Sequence, residues 1–172
     1  MGLDFLEAVR HTGGTVADLG MGTESLVYIS RSPSPPKTFM ADISRFNVAL
    51  NTKFSELNGR TDLYEVLQCD LTADPLSGGF APASIAHAQA NQLTHHLNEA
   101  GIEGLFDYLK YILTPNGTFS LWDHTDDFES PERIVALLKK HGLTGRLNPS
   151  HDGIDNEGEP VLRKFAIEGR KI

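Results

Sequence analysis

The run Val16-Ala17-Asp18-Leu19-Gly20-Met21-Gly22-Thr23 gathers the residue types that build a ligand cradle. Apolar strand residues lead into two glycines around one residue, and Thr23 is suited to cap a following helix. Glycine lets such a turn tighten and lets backbone N–H groups approach a ligand with no Cβ in the way. Asp18, two positions before the first glycine, is the discriminating residue: a carboxylate there repels a pyrophosphate and suits a cationic amine or sulfonium. Asp42 lies 20 residues beyond Gly22, where a carboxylate accepts hydrogen bonds from both hydroxyls of a ribose. Asp70 follows the next apolar run, on the next loop of the same sheet edge. Any one of the three also reads as a cap or turn former. All three at successive strand ends point to a cleft for a cationic nucleoside without phosphate.

A second group can move protons. His95 and His96 follow the fourth expected strand, and Asp123 and His124 follow the fifth. These four are the general-base candidates for a nucleophile whose proton has a high pKa. Asp123 and His124 with Asp126 and Asp127 also mimic a metal cluster, but without a fixed ligand spacing no metal is assigned. Trp122 reads as strand-end packing, Cys69 as a buried strand residue, and Lys139-Lys140 and Arg163-Lys164 as solvated faces. No Ser-His-Asp spacing and no phosphate-loop lysine is present in the sequence.

A βα rhythm must position these residues. Short helices are expected over 4–10 and 24–30, and strands over 15–19, 38–41 and 64–69. A helix capped by Ser44 should end near Asn58-Gly59. Residues 84–91 fit a helix or a strand, because alanine favours the former while the alternation of Ile85, His87 and Gln89 suits the latter. A strand over 85–90 is preferred, since a doubly wound sheet needs one there. A helix over 104–113 stops at Thr114-Pro115-Asn116-Gly117, and a strand over 118–122 follows. Ser130-Pro131-Glu132 opens a helix that ends at His141-Gly142. Strands over 143–147 and 161–168, with no helix between them, close the chain. The fold class is therefore α/β: a doubly wound, mostly parallel seven-stranded sheet with helices on both faces and a C-terminal antiparallel hairpin.

The composition fits a single domain over residues 1–172, with a short N-terminal helix and no separate substrate domain. The net charge of −8 argues against binding nucleic acid or an anionic membrane. No apolar run reaches the ~20 residues of a membrane span, and the first residues lack the pattern of a signal peptide. One cysteine suits a reducing, cytoplasmic setting.

Together the motifs resemble the class I S-adenosylmethionine-dependent methyltransferases. Residues 16–23 resemble that family's first motif, and Ala41-Asp42-Ile43-Ser44 the second. Leu67-Gln68-Cys69-Asp70-Leu71 resembles the third, and Leu113-Thr114-Pro115-Asn116-Gly117-Thr118 the turn before its fifth strand. The resemblance implies S-adenosyl-L-methionine as cofactor, held by Asp18, Gly20, Met21, Gly22, Asp42, Ile43, Asp70, Leu71, Asn91 and Gln92, with Asp18 toward the methionine ammonium. Residues 90–97, with His95-His96-Leu97, are similar to the branch acting on small molecules, which implies a small-molecule methyl acceptor. They do not resemble the motif of amide and base N-methyltransferases. Two departures stand out: Glu24 replaces a further glycine, and Pro82-Ala83 sit where the fourth strand usually opens on an aromatic-acidic pair. They keep two alternatives open, an accessory protein that binds the cofactor without transfer and a non-methylating enzyme such as a cyclase or lyase. A nicotinamide fingerprint fits less well, lacking its third glycine and placing Asp18 against the pyrophosphate. With few residues before the first strand and no long insertion, the pocket is expected to be open, or closed by another subunit or partner.

Overall fold

The computed structural model describes residues 14–22, 36–124, 131–150, 153–154, 160–161 and 164–172. The helices expected over 4–10 and 24–30 lie outside these residues, as do Glu24, Ser130 and Asp126-Asp127. Seven strands form one sheet: β1 (Val16–Leu19), β2 (Thr38–Asp42), β3 (Tyr64–Gln68), β4 (Ile85–Asn91), β5 (Leu113–His124), β6 (Leu143–Ser150) and β7 (Lys164–Lys171). Their spatial order is β3-β2-β1-β4-β5-β7-β6. The first five run parallel, and β7 runs antiparallel between β5 and β6. Gly153–Ile154 and Pro160–Val161 form a separate two-stranded ribbon. The expected terminal hairpin is present, with its second strand inserted inside the sheet and its first at the edge.

Three helices among the described residues pack on this sheet: α1 (Arg45–Leu57), α2 (Glu99–Ile112) and α3 (Pro131–Lys140). Ser44 caps α1 by accepting from the Asn47 N–H, and Gly59, at φ +61°, takes the chain out of it. Asn98 caps α2 by accepting from the Gly101 N–H at 2.9 Å, so this helix starts a full turn before the apolar pattern that begins at Gly104.

The pleat sends alternate residues to opposite faces. Ala17, Leu19, Ala41, Ala88, Ala90, Phe119, Leu121 and Ile167 join the inner stripes of α2 and α3 in the larger core. Val16, Met40 and Tyr64 lie on the other face, against Val48 and Phe54 of α1. That second face turns polar toward β5. Asp18 is in register with Gln89, and Gln89 with Ser120; Val16 is in register with His87, and His87 with Thr118. A register shift between Ile85 and His87 puts Ile85 into the apolar core while His87 keeps to the polar row.

Candidate functional site

All five parallel strands end at one sheet edge, and the chain reverses its direction of travel between β1 and β4. Ligands of open α/β sheets sit at such a switch point. The Gly20-Met21-Gly22 turn leaves β1 there and is tied to β2. The N–H groups of Gly20 and Met21 donate to the Ala41 carbonyl at 2.8 and 3.3 Å. Both glycines hold positive φ, +68° and +52°, a conformation that costs any residue with a Cβ. Among the described residues a Cβ on Gly22 would meet nothing within 4 Å, whereas one on Gly20 would come within 3.0 Å of Leu93. Leu93 thus covers the Gly20 turn, and no described residue stands beside Gly22.

Asp42 anchors this cradle. Its Oδ2 accepts from the Gly22 N–H at 3.3 Å and from Asn47 Nδ2 at 2.9 Å, and its Oδ1 from the Ser44 N–H at 2.8 Å. Buried Asn51 completes the tie by donating from Nδ2 to the Gly22 and Asn47 carbonyls at 2.9 and 2.8 Å. Ile43, next in the chain, is 65% exposed and offers an aliphatic surface at the rim. Asp70 is exposed, and its Oδ1 accepts from both the hydroxyl and the N–H of Thr72. Those two bonds hold its carboxyl below the usual carboxylate range. Asp18 is buried within the sheet between Met40 and Gln89. The side chains of Met21 and Leu71 are buried in the two cores, which leaves only their main chain for a ligand.

The second cluster forms where β4 and β5 end. Asn91 and Gln92 are exposed; Gln92 adopts φ +51° and donates its N–H to the Trp122 carbonyl at 2.7 Å. This turn leads the chain into the single helical turn Thr94–His96, which passes over the end of β5. Asp123 is wholly buried there. Its Oδ2 accepts from the Thr94 hydroxyl at 2.6 Å and the His95 N–H at 3.0 Å, and its Oδ1 lies 2.7 Å from His95 Nδ1. A carboxylate so placed fixes the tautomer with the proton on Nδ1, leaving the Nε2 lone pair as the base. The His96 ring lies against that of His95, with centroids 3.8 Å apart. His124 ends β5; its side chain lies outside the described part.

Two of the four proton-handling candidates thus form one hydrogen-bonded unit, His95 with Asp123, and a third lies against it. The sequence reading passed over Asn47, Asn51, Leu93 and Thr94. Asn47 alone carried a visible signal, three residues after the Ser44 cap on the helix that follows Asp42. Cys69 is buried, and burial raises its thiol pKa, so it is no activated nucleophile. Among the described residues no three His, Cys, Asp or Glu side chains gather as metal ligands would, and no helix is long and apolar enough to cross a membrane.

No protein-family model matches the sequence, and no curated protein matches it. By structure the chain is similar to the geranyl diphosphate C-methyltransferase of Streptomyces coelicolor A3(2), at 11% identity over 99% of this chain and 80% of that one, with a TM-score of 0.73. That enzyme was crystallised with Mg2+, geranyl diphosphate and S-adenosyl-L-homocysteine. A SAM-dependent methyltransferase from Aquifex aeolicus is similar at 14% identity over 98% of this chain and 90% of that one, with a TM-score of 0.73. The cyclase SpnF is similar at 12% identity over 99% of this chain and 80% of that one, with a TM-score of 0.75. At these identities the likeness is one of fold.

Proposed function

From a chain with the class I S-adenosylmethionine-dependent methyltransferase fold, we propose a methyltransferase acting on a small-molecule acceptor, with His95 as its general base. The observation that carries this reading is the contact of the two clusters. Leu93 covers the Gly20 turn, so the His95–Asp123 pair stands beside the cradle. S-adenosyl-L-methionine, when bound, supplies a methyl carbon already activated by its sulfonium. Asp42 and the main chain around Gly22 would hold its ribose, Ile43 would lie along the adenine, and Asp70 would accept from the adenine amine. The carboxylate of Asp18 favours a cationic group at the Gly20 turn. Holding nucleophile and carbon in line is worth ~7–11 kcal/mol. His95 Nε2 takes the acceptor's proton, and Asp123 stabilises the resulting imidazolium, which adds about 10²–10⁴-fold.

Calorimetric titration with S-adenosylmethionine and S-adenosylhomocysteine tests the cofactor. Both should bind, and Asp42→Ala should weaken them by about 1–3 kcal/mol through lost charged hydrogen bonds. Absence of binding by both would sink the proposal. The likeness to SpnF favours one other reading, a reaction on this fold without methyl transfer. Binding without methyl turnover across hydroxyl, amine and carbon-acid acceptors would sink methyl transfer and leave that reading beside an accessory protein that binds the cofactor.

A further inference from the structure

We propose that Thr94 is the positioning residue of the His95–Asp123 pair, holding the Asp123 carboxylate in the rotation that keeps Oδ1 on the imidazole. The inference deepens the proposed function and rests on its reading of His95 as the base. Thr94 and Asp123 are both buried, so their polar atoms must be satisfied within the protein. The Thr94 hydroxyl donates to Asp123 Oδ2 at 2.6 Å, the length of a charge-assisted O–H···O⁻ bond. A threonine opening a helical turn ordinarily accepts from an N–H of that turn. Here no side chain caps the turn. Its main-chain bonds run from the His96 N–H to the Leu93 carbonyl and from the Leu97 N–H to the Thr94 carbonyl, at 3.1 and 3.0 Å. The Thr94 hydroxyl is given instead to a carboxylate 29 positions away.

What that bond does follows from the torsion it controls. The last torsion of an aspartate is broad and roughly two-fold, so the donors on each oxygen select its setting. Oδ2 receives the Thr94 hydroxyl and the His95 N–H, and Oδ1 faces His95 Nδ1. Two of these three contacts come from His95 and move with it. The Thr94 hydroxyl is the member of the three that ties the carboxylate independently of the ring. The same segment sets the ring's place beside the cradle. Gln92 turns the chain at φ +51°, a left-handed conformation unfavourable to a residue with a Cβ. Leu93 then lies on the Gly20 turn and Thr94 on Asp123. With both seated, the main chain at His95 is fixed against cradle and carboxylate together. The branched Cβ of threonine narrows its rotamers, which suits a hydroxyl that must point one way.

Nitrogen and proton NMR on the full chain with labelled histidine, and no cofactor added, reads the pair directly. At a pH where the imidazole is neutral, wild-type His95 should be the Nδ1–H tautomer, with a downfield Nδ1 proton protected from exchange; His95→Gln assigns the signal. Thr94→Val keeps the shape and removes the donor, so the protected proton should be lost. Thr94→Ser keeps the donor and should retain it. In turnover, Thr94→Val should cut kcat about 10–10²-fold while KM and S-adenosylhomocysteine affinity hold, and Thr94→Ser should recover most of the rate. Urea unfolding checks the fold, and Thr94→Ala gives the same readings should the valine disturb it. A Thr94→Val chain whose Nδ1 proton stays as protected as in wild type would overturn the proposal. Loss of that proton with kcat unchanged would uphold Thr94 as the residue that holds the pair and fail His95 as the base. A chain that turns over no acceptor would fail the proposed function, and the NMR comparison would still decide the role of Thr94.

Discussion

His87 gives the sharpest test of how this sheet is assembled. It lies in a central strand, 4% exposed. Its Nδ1 lies 2.8 Å from the Thr118 hydroxyl, and its Nε2 lies 3.5 Å from that of Ser120. Burial disfavours the imidazolium and pushes its pKa down from 6.5 to about 4, against a smaller opposing pull from Glu168. Above pH 6.5 the ring is neutral in both folded and unfolded chains and adds no pH dependence. Between pH 6.5 and about 4 the unfolded chain binds a proton that the folded chain refuses, so stability falls with pH. The slope reaches at most about 1.4 kcal/mol per pH unit, and the loss across the window is about 3 kcal/mol as an upper bound. Urea unfolding of wild type and His87→Gln at pH 7, 5.5 and 4.5 isolates this contribution. The difference between the two should change steadily in favour of the variant as pH falls. Asp70 does not confuse the window, because a carboxyl held below its ordinary 3.8 gives up its contribution only at lower pH. A wild-type-minus-variant difference that stays flat from pH 7 to 4.5 would refute a buried, neutral His87.

Two further expectations concern packing and the candidate base. Gly104 lies inside α2, where alanine ordinarily gains about 0.5–1 kcal/mol, but an added Cβ would stand 2.6 Å from the Thr72 carbonyl oxygen. Gly104→Ala should therefore lower stability by about 1–3 kcal/mol; Gly101→Ala, whose Cβ would meet nothing nearer than Leu97 at 3.2 Å, should stay near neutral in the same urea assay. Asp123→Asn replaces one acceptor of a buried three-bond carboxylate with a donor and favours the wrong His95 tautomer. It should cut kcat about 10²–10⁴-fold on any acceptor that turns over while S-adenosylhomocysteine affinity holds, and an unchanged kcat would remove His95 from the chemistry.

The succession of strands and helices was legible because apolar runs and helix signals alternate at lengths that only a βα sheet accommodates. The weakest strand signal, β4, has a structural cause. Ala88 and Ala90 are small where α2 packs on the sheet, and His87 and Gln89 fill the polar row behind them, so beyond Ile85 neither face shows the usual β-branched residues. The start of α2 was hidden because Gly101 and Gly104 interrupt the apolar pattern; only the Asn98 cap marks it. Strand ends were read one to three residues short at β2, β4, β5, β6 and β7, where the chain is polar although the ladder continues. The His95–Asp123 pair spans 28 positions. Each member was visible as a candidate, but their union depends on the Gln92 turn, whose positive φ no local pattern announces.

The three aspartates that looked alike in the sequence do different work. Asp70 shapes its own turn, and Asp18 is buried inside the sheet. Asp42 decides what the glycine turn can accept. In a phosphate-binding turn the backbone N–H groups after the strand point at the anion. Here the Gly22 N–H is already donated to the Asp42 carboxylate, so the place of an anion is filled from within. A pyrophosphate charge brought within about 4 Å of Asp42 would meet roughly 4 kcal/mol of repulsion in partly buried surroundings. A ribose meets the reverse. A carboxylate offers about four acceptor positions, and three are in use. One hydroxyl can join at the remaining position, and a second requires the Asn47 amide to give way. On the proposed function, the cradle would exclude phosphate through Asp42 and meter its grip on a sugar through Asn47.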